Sequence, residues 1–305
     1  MNKKMRPGRI HFIVIFLITM FATAQSRNDQ TTSFTAGQLS KKEIGLIEAR
    51  TMLVELYGDP EIDDNVKMVI NKFWRFNKDI HFANMENTVG LLKGNESKFF
   101  VLSVNKVEAT EITKYGVYTN YFIRFSIKLG EKHNKTRPAF FQDVLLHEEN
   151  GKTTVDKRDI IFAVNYIQNH FEARKAGKSR FGLFMLEVKE NSGKLENKTL
   201  LIDEKQMDKK MDVSKIAQDY VFPYKISNLT EIENAQLSQD KRYAYVEIIP
   251  IGGSRVNNFH LVVDCETGLV ISYGDLNNGA FDFTFSNLIN NKHLKSYYNN
   301  SGAKK

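Results

Sequence analysis

The chain has 305 residues, of which 42% are hydrophobic and 11% aromatic, and it carries a formal net charge of +7. This apolar content is sufficient for a globular core, and no dense stripe of Lys and Arg interleaved with aromatic residues indicates nucleic-acid binding. The single cysteine, Cys265, excludes intramolecular disulfides and a cysteine-rich scaffold.

Residues 1–24 have the pattern of a cleavable secretory signal peptide. They hold four basic and no acidic residues, an apolar run over residues 10–21, and an A-x-A pattern at Ala22 and Ala24 that makes Gln25 the first mature residue. The apolar run is shorter than the roughly 20 residues that a membrane span needs. We therefore expect an exported protein, periplasmic or secreted, with no membrane span in the mature chain and a net charge of +3 after cleavage.

The first half of the mature chain predicts helices followed by strands. Ser40 and Glu43 match a capping box, which predicts a helix that continues to Gly58. Two more helices are predicted at residues 62–76 and 156–176. Alternating apolar residues predict strands at residues 80–82, 99–107, 117–129 and 139–147.

The second half predicts a similar series of elements. A helix is predicted at residues 212–220. Strands are predicted at residues 181–188, 199–202, 222–226, 243–251, 258–263 and 269–273. Gly268 stands in the last turn at a position that requires a positive φ. The fold class is therefore predicted as α+β, with helices packed on antiparallel sheets.

The order of elements indicates that the two halves are related subdomains. Residues 72–104 align with residues 218–249, with Ile80 beside Ile226 and few identities. The alternative is that any two α+β segments align this well. The predicted organisation is a signal peptide (1–24), a flexible segment (25–36), two α+β domains (37–177 and 178–290) and a polar tail (291–305). The polar composition of the tail predicts disorder.

A hairpin near the C-terminus resembles a known family. Residues 259–271 read FHLVVDCETGLVI, which contains the pattern D-x-x-T-G-x-V after an apolar strand. With the helix at residues 212–220, this hairpin resembles that of PepSY-type modules, small extracytoplasmic domains in which a helix packs on an antiparallel sheet. The resemblance covers about residues 212–275, and Cys265 and the long connection at 254–258 depart from the usual pattern. It implies a non-catalytic module that inhibits, binds or helps to fold an envelope partner, without active-site residues.

The histidines show no spacing typical of a metal site. His147, Glu148 and Glu149 could bind a metal or move protons, but the zinc-protease pattern needs a second histidine where Gly151 stands. A solvated strand end is the favoured interpretation. The other histidines are scattered along the chain, at His81, His133, His170, His260 and His293. We expect His170 to lie on the surface and His260 to face solvent.

Other polar groups have simpler explanations than catalysis. Cys265 has no base or helix N-terminus beside it in the sequence, so an inert thiol is favoured over a nucleophile or an exposed, oxidisable one. Asp264, Glu266 and Asp275 lack the dense alternation of a calcium loop, and turn formation explains Asp264. Residues 252–255 lack the spacing and the following helix of a phosphate loop.

Two aromatic clusters and one basic cluster complete the candidates. Trp74 and Phe76 are predicted to lie in the core, whereas Tyr297 and Tyr298 in the polar tail are a possible contact for a partner. Four cations surround Gly177, and we expect them to form a solvated helix end, where positive charge is favourable. They are Arg174, Lys175, Lys178 and Arg180.

No catalytic, cofactor or metal residues are therefore assigned. The favoured function is that of a non-enzymatic binding or inhibitor-like protein, whose partner is an unknown envelope or extracellular protein. One alternative is an exported hydrolase of unrecognised type. Convergence of at least two of four histidines would favour it: His81, His147, His170 and His260. Another alternative is a structural component of an envelope complex, which predicts a large exposed apolar patch.

Overall fold

The computed structural model describes residues 39–113, 116–134, 138–149, 152–178, 183–191, 193–250, 258–274 and 288–302. Side chains are described within these ranges except at residues 109–113, 116–120, 147–149, 152–153, 183–186 and 250. The predicted signal peptide and its cleavage between Ala24 and Gln25 lie outside the described residues. No helix in the described ranges has the length and apolar character needed to cross a membrane.

The first helix, α1 (Lys41–Ala49), begins with the predicted capping box. The Glu43 N–H donates to Ser40 Oγ at 3.2 Å, and the Ser40 N–H donates to the Glu43 carboxylate at 2.9 Å. The predicted continuation to Gly58 is wrong, because residues Thr51–Glu55 form strand β1. Four of its five residues are buried. A strand covered on both faces has a continuous apolar run, which periodicity alone does not distinguish from a helix.

The first repeated segment, which we call unit 1, spans residues 41–175. After α1 and β1 it contains α2 (Pro60–Phe73), β2 (Ile80–Ala83), α3 (Met85–Leu92), β3 (Phe99–Thr113), β4 (Gly116–Leu129), β5 (Phe140–Leu145) and α4 (Lys157–Lys175). A small hairpin of β6 (His147–Glu149) and β7 (Lys152–Thr154) lies between β5 and α4. The sheet order is β2-β1-β3-β4-β5, in which β1 is parallel to β2 and β3 while the remaining pairs are antiparallel.

The second segment, unit 2, spans residues 183–299. It contains α5 (Leu183–Glu190), β8 (Thr199–Asp203), α6 (Ile216–Asp219), β9 (Tyr224–Ser227), α7 (Leu229–Leu237), β10 (Tyr243–Pro250), β11 (Asn258–Asp264), β12 (Val270–Tyr273) and α8 (Asn291–Asn299). Its sheet has the order β9-β8-β10-β11-β12, with β8 parallel to β9 and β10 and the other pairs antiparallel. The strand predicted at residues 181–188 is wrong, because this segment contributes helix α5.

The α+β class with two sheet subdomains is confirmed, and the two sheets share a strand order and a similar register at their parallel edge. In unit 1 Met52 pairs with Ile80, and in unit 2 Leu200 pairs with Tyr224 at the same place in the sheet. The sequence alignment therefore slips by two residues where it places Ile80 beside Ile226. Both sheets are mixed and not purely antiparallel, because helical crossovers join their first three strands in parallel.

The helix that follows each edge strand repeats as well. Asn84 caps α3 by accepting from the Asn87 N–H at 2.9 Å, and Asn228 caps α7 by accepting from the Glu231 N–H at 2.9 Å. Each asparagine comes directly after the edge strand of its unit. Side-chain oxygens at this position satisfy a backbone N–H that the helix leaves unpaired. The same local chemistry thus recurs in both units.

Helix α4 joins the two units because it is buried between both sheets. Ile161 and Val164 pack in the core of unit 1, with α1, α2 and the first sheet. Phe162 packs instead against the second sheet, in a cluster that includes Tyr245, and Tyr166 contacts both clusters. The helix is therefore buried on nearly all sides, although some of its buried side chains are polar. Unit 1 therefore contributes its last helix to the core of unit 2.

The segment predicted as a disordered tail is folded in the described residues 291–302. Helix α8 begins with a capping box between Asn290 and His293. Its Leu294 and Tyr297, three residues apart and thus on one face, are fully buried against the second sheet. The polar composition reflects the opposite face of this helix, which includes the exposed Lys295.

Candidate functional site

A buried cluster of charges connects α4 to the second sheet. The guanidinium of Arg158, in the first turn of α4, lies 2.8 Å from Asp159 Oδ1, 3.2 Å from Asp203 Oδ2 and 3.2 Å from Asp156 Oδ2. Its Nε also lies 3.7 Å from Glu247 Oε2 on β10. Four acidic residues on several elements therefore surround one buried cation. The sequence did not reveal this cluster, because its members lie far apart along the chain.

The environment of Glu247 favours the neutral form of its carboxyl group. Burial raises the pKa of Glu247 well above its ordinary value, and the nearby Asp159 carboxylate raises it further, whereas Arg158 opposes the shift. A protonated Glu247 can donate a hydrogen bond to Asp159. Arg158 and Glu247 are fully buried, so a substrate in solvent has no direct access to them. The cluster therefore acts as a structural link between the units.

An open cleft of about 410 Å³ lies where α4 of unit 1 meets α5 of unit 2. This volume falls in the range of small-molecule and side-chain binding pockets, roughly 300–1,000 Å³. We call it the junction cleft, and its described lining residues are Asn169, Glu172, Ala173, Ala176, Lys178, Glu187, Glu190, Asn191 and Leu269. It exists only because two units follow each other, since each unit supplies one wall.

Glu187 is the titratable group of the junction cleft with the most perturbed environment. Burial raises the pKa of Glu187 to about 7, and Glu190 adds to the shift, whereas the Val270 N–H and Lys178 oppose it. Glu187 Oε1 accepts a hydrogen bond from the Val270 N–H at 3.0 Å. Its Oε2 receives no hydrogen bond from the described residues. Glu187 is thus near half ionisation at neutral pH and offers a vacant acceptor.

The junction cleft carries more negative than positive groups. Glu172, Glu187 and Glu190 line it, and Lys178 is the one cation among the described lining residues. The ammonium of Lys178 forms an ion pair with Glu190 and also lowers the pKa of Glu187, so one cation is shared between two carboxyl groups. Asn191 donates from Nδ2 to the backbone oxygen of Glu187 at 2.7 Å, which fixes the end of α5. The arrangement suits a positively charged ligand.

Two histidines that were expected on the surface are buried. His170 stacks on the ring of Phe140, with centroids 4.3 Å apart, because α4 is covered on all sides. Burial lowers the pKa of His170 to about 4, with a contribution from the Arg174 charge. His260 is also buried, in β11. By contrast, His81 is exposed on the edge strand β2, so these three histidines lie on separate elements.

The fold nevertheless brings two scattered histidines together. The rings of His260 and His293 lie 4.1 Å apart, and His260 Nδ1 lies 2.7 Å from the hydroxyl oxygen of Tyr297. Burial lowers the pKa of His293 to about 4, and its Nδ1 accepts from the Asn290 N–H at 3.2 Å. These contacts fasten α8 to the second sheet. No group of three or more His, Cys, Asp or Glu side chains in the described part of the chain is placed to hold a metal ion.

Each unit has an acidic residue at the end of its central parallel strand. Glu55 ends β1 and lies 3.3 Å from Nε2 of His133, while the equivalent Asp203 ends β8 and contacts Arg158. The carboxyl ends of parallel strands are common locations for ligand sites. Both acids are buried and already paired, however, so neither offers a vacant position. The sequence did not indicate either pair.

The turn at residues 264–268 agrees with the structural roles that the sequence predicts for Asp264, Cys265 and Gly268. Asp264 Oδ1 accepts from the Glu266 N–H at 3.1 Å and lies 2.8 Å from the Lys198 ammonium, which accounts for its charge. Gly268 has the predicted positive φ, +67°. Cys265 is buried, and burial raises the pKa of its thiol, so the expectation of an inert thiol is supported over a reactive or exposed one.

Several candidate residues lie wholly or partly outside the described part of the structure. His147, Glu148 and Glu149 form strand β6, but their side chains lie outside the described part of the structure. Asp275 and residues 252–255 also lie outside it. No chemistry is assigned to these positions.

The aromatic predictions are partly confirmed. Trp74 and Phe76 lie in the core of unit 1, as expected. Tyr297 is fully buried, so the proposed partner contact is wrong for this residue. Tyr298 is half-buried and packs on Phe222, with ring centroids 5.1 Å apart.

The basic residues at the end of α4 are engaged with other parts of the chain. Arg174 donates to the backbone oxygen of Lys178 and to that of Leu39. The Lys175 ammonium lies 2.5 Å from the Glu48 carboxylate. This helix end is therefore tied to α1 and to the linker and is not merely solvated, while Arg180 lies outside the described residues.

Helix α3 exposes three apolar side chains, of which Met85 and Val89 share one face and Leu91 lies on another. Met85, Val89 and Leu91 are 64%, 55% and 43% exposed. In unit 2 the position equivalent to Leu91 is Ala235, which is 6% exposed because α4 packs against α7. Among the described residues, no corresponding helix covers α3. This surface favours contact with another molecule, although the patch is small.

Comparison with known proteins found no matching family model, no similar curated protein and no similar solved structure. The resemblance to PepSY-type modules over residues 212–275 therefore stays a prediction. In the described part of this segment, β10, β11 and β12 form an antiparallel series, and α7 packs beside β8, which lies outside the segment. The segment does not fold as a separate module, because β10 pairs with β8 outside it.

Proposed function

We propose that this chain is an exported, non-enzymatic binding protein of the envelope or extracellular space, and that its binding site is the junction cleft. The observation that carries the proposal is an open cleft of about 410 Å³ between the two units, lined by carboxyl, amide and apolar groups. The resemblance to PepSY-type modules agrees with such a role. So does the sequence pattern of an export signal in residues 1–24.

The lining of the junction cleft supports binding in preference to nucleophilic catalysis. Its described residues are of five types, Asn, Glu, Ala, Lys and Leu, and provide no hydroxyl, thiol or imidazole group. Among the described lining residues, only the carboxyl groups and the Lys178 amine are therefore candidate nucleophiles. Amide and carboxyl groups around an open space are instead typical of sites that orient a ligand.

The proposal is tested by site-specific photo-cross-linking in the native host. A photoreactive amino acid replaces the exposed Ala176 in the cleft, and a matched variant carries it at the exposed Lys210, outside the cleft. We expect one dominant adduct from position 176, which purified unlabelled protein suppresses in a saturable manner. Equal adduct patterns at both positions, or none at position 176, would reject the cleft as the binding site.

A second candidate function is that of an exported hydrolase that uses carboxyl chemistry. The observation in its favour is Glu187, whose pKa of about 7 is suited to a general acid, with Glu172 and Glu190 lining the same cleft. Glu190 is neutralised by Lys178, which leaves Glu172 as the second carboxylate. A hydrolytic activity on glycosidic or ester substrates that Glu187→Gln abolishes would establish this function in place of binding alone.

A further inference from the structure

We propose that the junction cleft binds a positively charged group, a guanidinium or an alkylammonium, between Glu172 on α4 and Glu187 on α5. This inference rests on the proposed function and adds the chemical class of the ligand. Both residues line the cleft, one from each unit. A cation placed there would contact carboxyl groups on opposite walls and would hold the two units together at their junction.

The charges of the cleft favour such a ligand over an anion or a neutral group. Among the described lining residues there are three carboxyl groups and one ammonium, and that ammonium is paired to Glu190. An anion would face repulsion from Glu172, which is exposed. A guanidinium could donate to the vacant Oε2 of Glu187, because the hydrogen bond from the Val270 N–H occupies Oε1. An apolar wall for the ligand's stem is supplied by Ala173.

Ligand binding is coupled to a proton at Glu187. The groups that act on this carboxyl are Tyr166 from α4, Lys178 from the linker, Glu190 from α5 itself and the Val270 N–H from β12. Because burial raises the pKa of Glu187 to about 7, a bound cation must stabilise the ionised form and release a proton. Affinity therefore rises with pH through 7. If only the ionised form binds, affinity is about tenfold lower at pH 6 than at pH 8.

The experiment is a calorimetric titration of the mature chain with two probes that carry the same cation. Butylguanidinium is a free guanidinium compound with a single positive charge, and acetyl-Ala-Arg-Ala-amide presents the same group on a peptide. Acetyl-Ala-Gln-Ala-amide serves as the neutral control. We expect both cationic probes to bind at pH 8, with about tenfold weaker binding at pH 6, and no binding of the neutral peptide. Stronger binding of the peptide than of butylguanidinium would favour a protein partner over a free small molecule as the source of the cation.

Two variants test the roles of the carboxyl groups. Glu187→Gln keeps an acceptor for the Val270 N–H, so the fold is retained, and we expect weaker binding that no longer changes between pH 6 and pH 8. Glu172→Gln should weaken binding at both pH values while the pH dependence remains. Circular dichroism spectra that match the parent chain confirm folding of both variants.

The inference is overturned if neither cation binds, if the neutral peptide binds equally well, or if Glu187→Gln keeps the pH dependence. Rejection of the cationic ligand can be distinguished from rejection of the cleft as a binding site. A saturable adduct at position 176 together with equal binding of the neutral peptide would retain the cleft as a binding site and reject the cationic ligand. Absence of the adduct would reject the binding site itself.

Discussion

Arg158 shows how one side chain joins the two units. It belongs to unit 1 by sequence, but its partners Asp203 and Glu247 lie on strands of unit 2. Taking a guanidinium out of water is costly, and the surrounding carboxyl groups offset that cost only while the cluster is complete. A variant that lacks the guanidinium therefore leaves buried carboxylates without a counter-charge.

We predict that Arg158→Ala lowers the free energy of unfolding by about 3–5 kcal/mol, because Asp159 and Asp203 lose their buried partner. The measurement is urea denaturation at pH 7. Arg242→Ala is the matched control, since Arg242 forms an exposed ion pair with Asp240 at 2.6 Å. Such pairs contribute about 0–1 kcal/mol. Equal losses in the two variants would show that the buried cluster does not stabilise the junction.

At the residue scale, local signals were predictable and distant partners were not. The capping box at Ser40 and the positive φ of Gly268 follow from neighbouring residues, and both are present. The partners of Arg158 could not be predicted in the same way, because Asp203 and Glu247 are 45 and more residues away. Contacts of this kind depend on the tertiary fold, which local patterns do not specify.

At the scale of elements, a sustained helical period or a capping box decided which helices the sequence revealed, since the nine-residue α1 was predicted from its capping box. Helix α4 has 19 residues and was predicted within one or two residues of its ends. Helices α3 and α7 have eight and nine residues, too few turns for a clear helical period. Strand β1 was taken for helix because its apolar run is continuous. Both cores contain elements that are buried on two faces. The sequence shows the apolar residues of such an element but not which elements cover it.

The hairpin between β11 and β12 approaches α4 closely at Gly268, and this contact predicts a stability difference. A Cβ at position 268 would lie 2.7 Å from Cβ of Asn165, whereas one at Gly177 meets no atom within 4 Å. Both glycines have positive φ. We predict that Gly177→Ala costs about 1 kcal/mol for backbone strain alone. Gly268→Ala should cost roughly 2–4 kcal/mol, since the hairpin must also move away from α4.

Thermal and urea denaturation of the two alanine variants measures this difference. The comparison isolates the close approach of hairpin and helix, because the strain at positive φ is common to both positions. If the two variants lose equal free energy of unfolding, a side chain at position 268 does not clash with Asn165. The contact between the hairpin and α4 would then not be tight enough to resist a methyl group.

At the scale of the whole molecule, the repeat was predictable in outline but the junction cleft was not. The series of elements predicted two related halves, and the described residues form two sheets of the same strand order. The cleft needs Glu172 from unit 1 and Glu187 from unit 2 in one space. The sequence of neither unit indicates that these two residues lie close together, since their proximity depends on how α4 packs between the sheets. The segment around Glu187 was moreover predicted as a strand, so the sequence did not predict that a helix forms this wall of the cleft.

The position of α4 predicts that the two units unfold together. Phe162 lies on a helix of unit 1 but packs in a cluster of unit 2, so neither core is complete without the other. Trp74, the single tryptophan, lies in the core of unit 1 and reports on that unit by fluorescence, while far-UV circular dichroism reports on both. We predict coincident urea midpoints for the two signals.

The variant Phe162→Ala tests directly whether damage on the side of unit 2 also destabilises unit 1. Its cavity lies on the side of unit 2, and removal of a buried phenylalanine costs about 3–5 kcal/mol. If the molecule is one cooperative unit, the fluorescence midpoint of Trp74 falls as far as the circular dichroism midpoint, although the substituted side chain lies outside the cluster of Trp74. An unchanged Trp74 midpoint would mean that unit 1 is stable by itself. The junction cleft would then lie between two independent domains, and binding of a cation across it would change their relative stability.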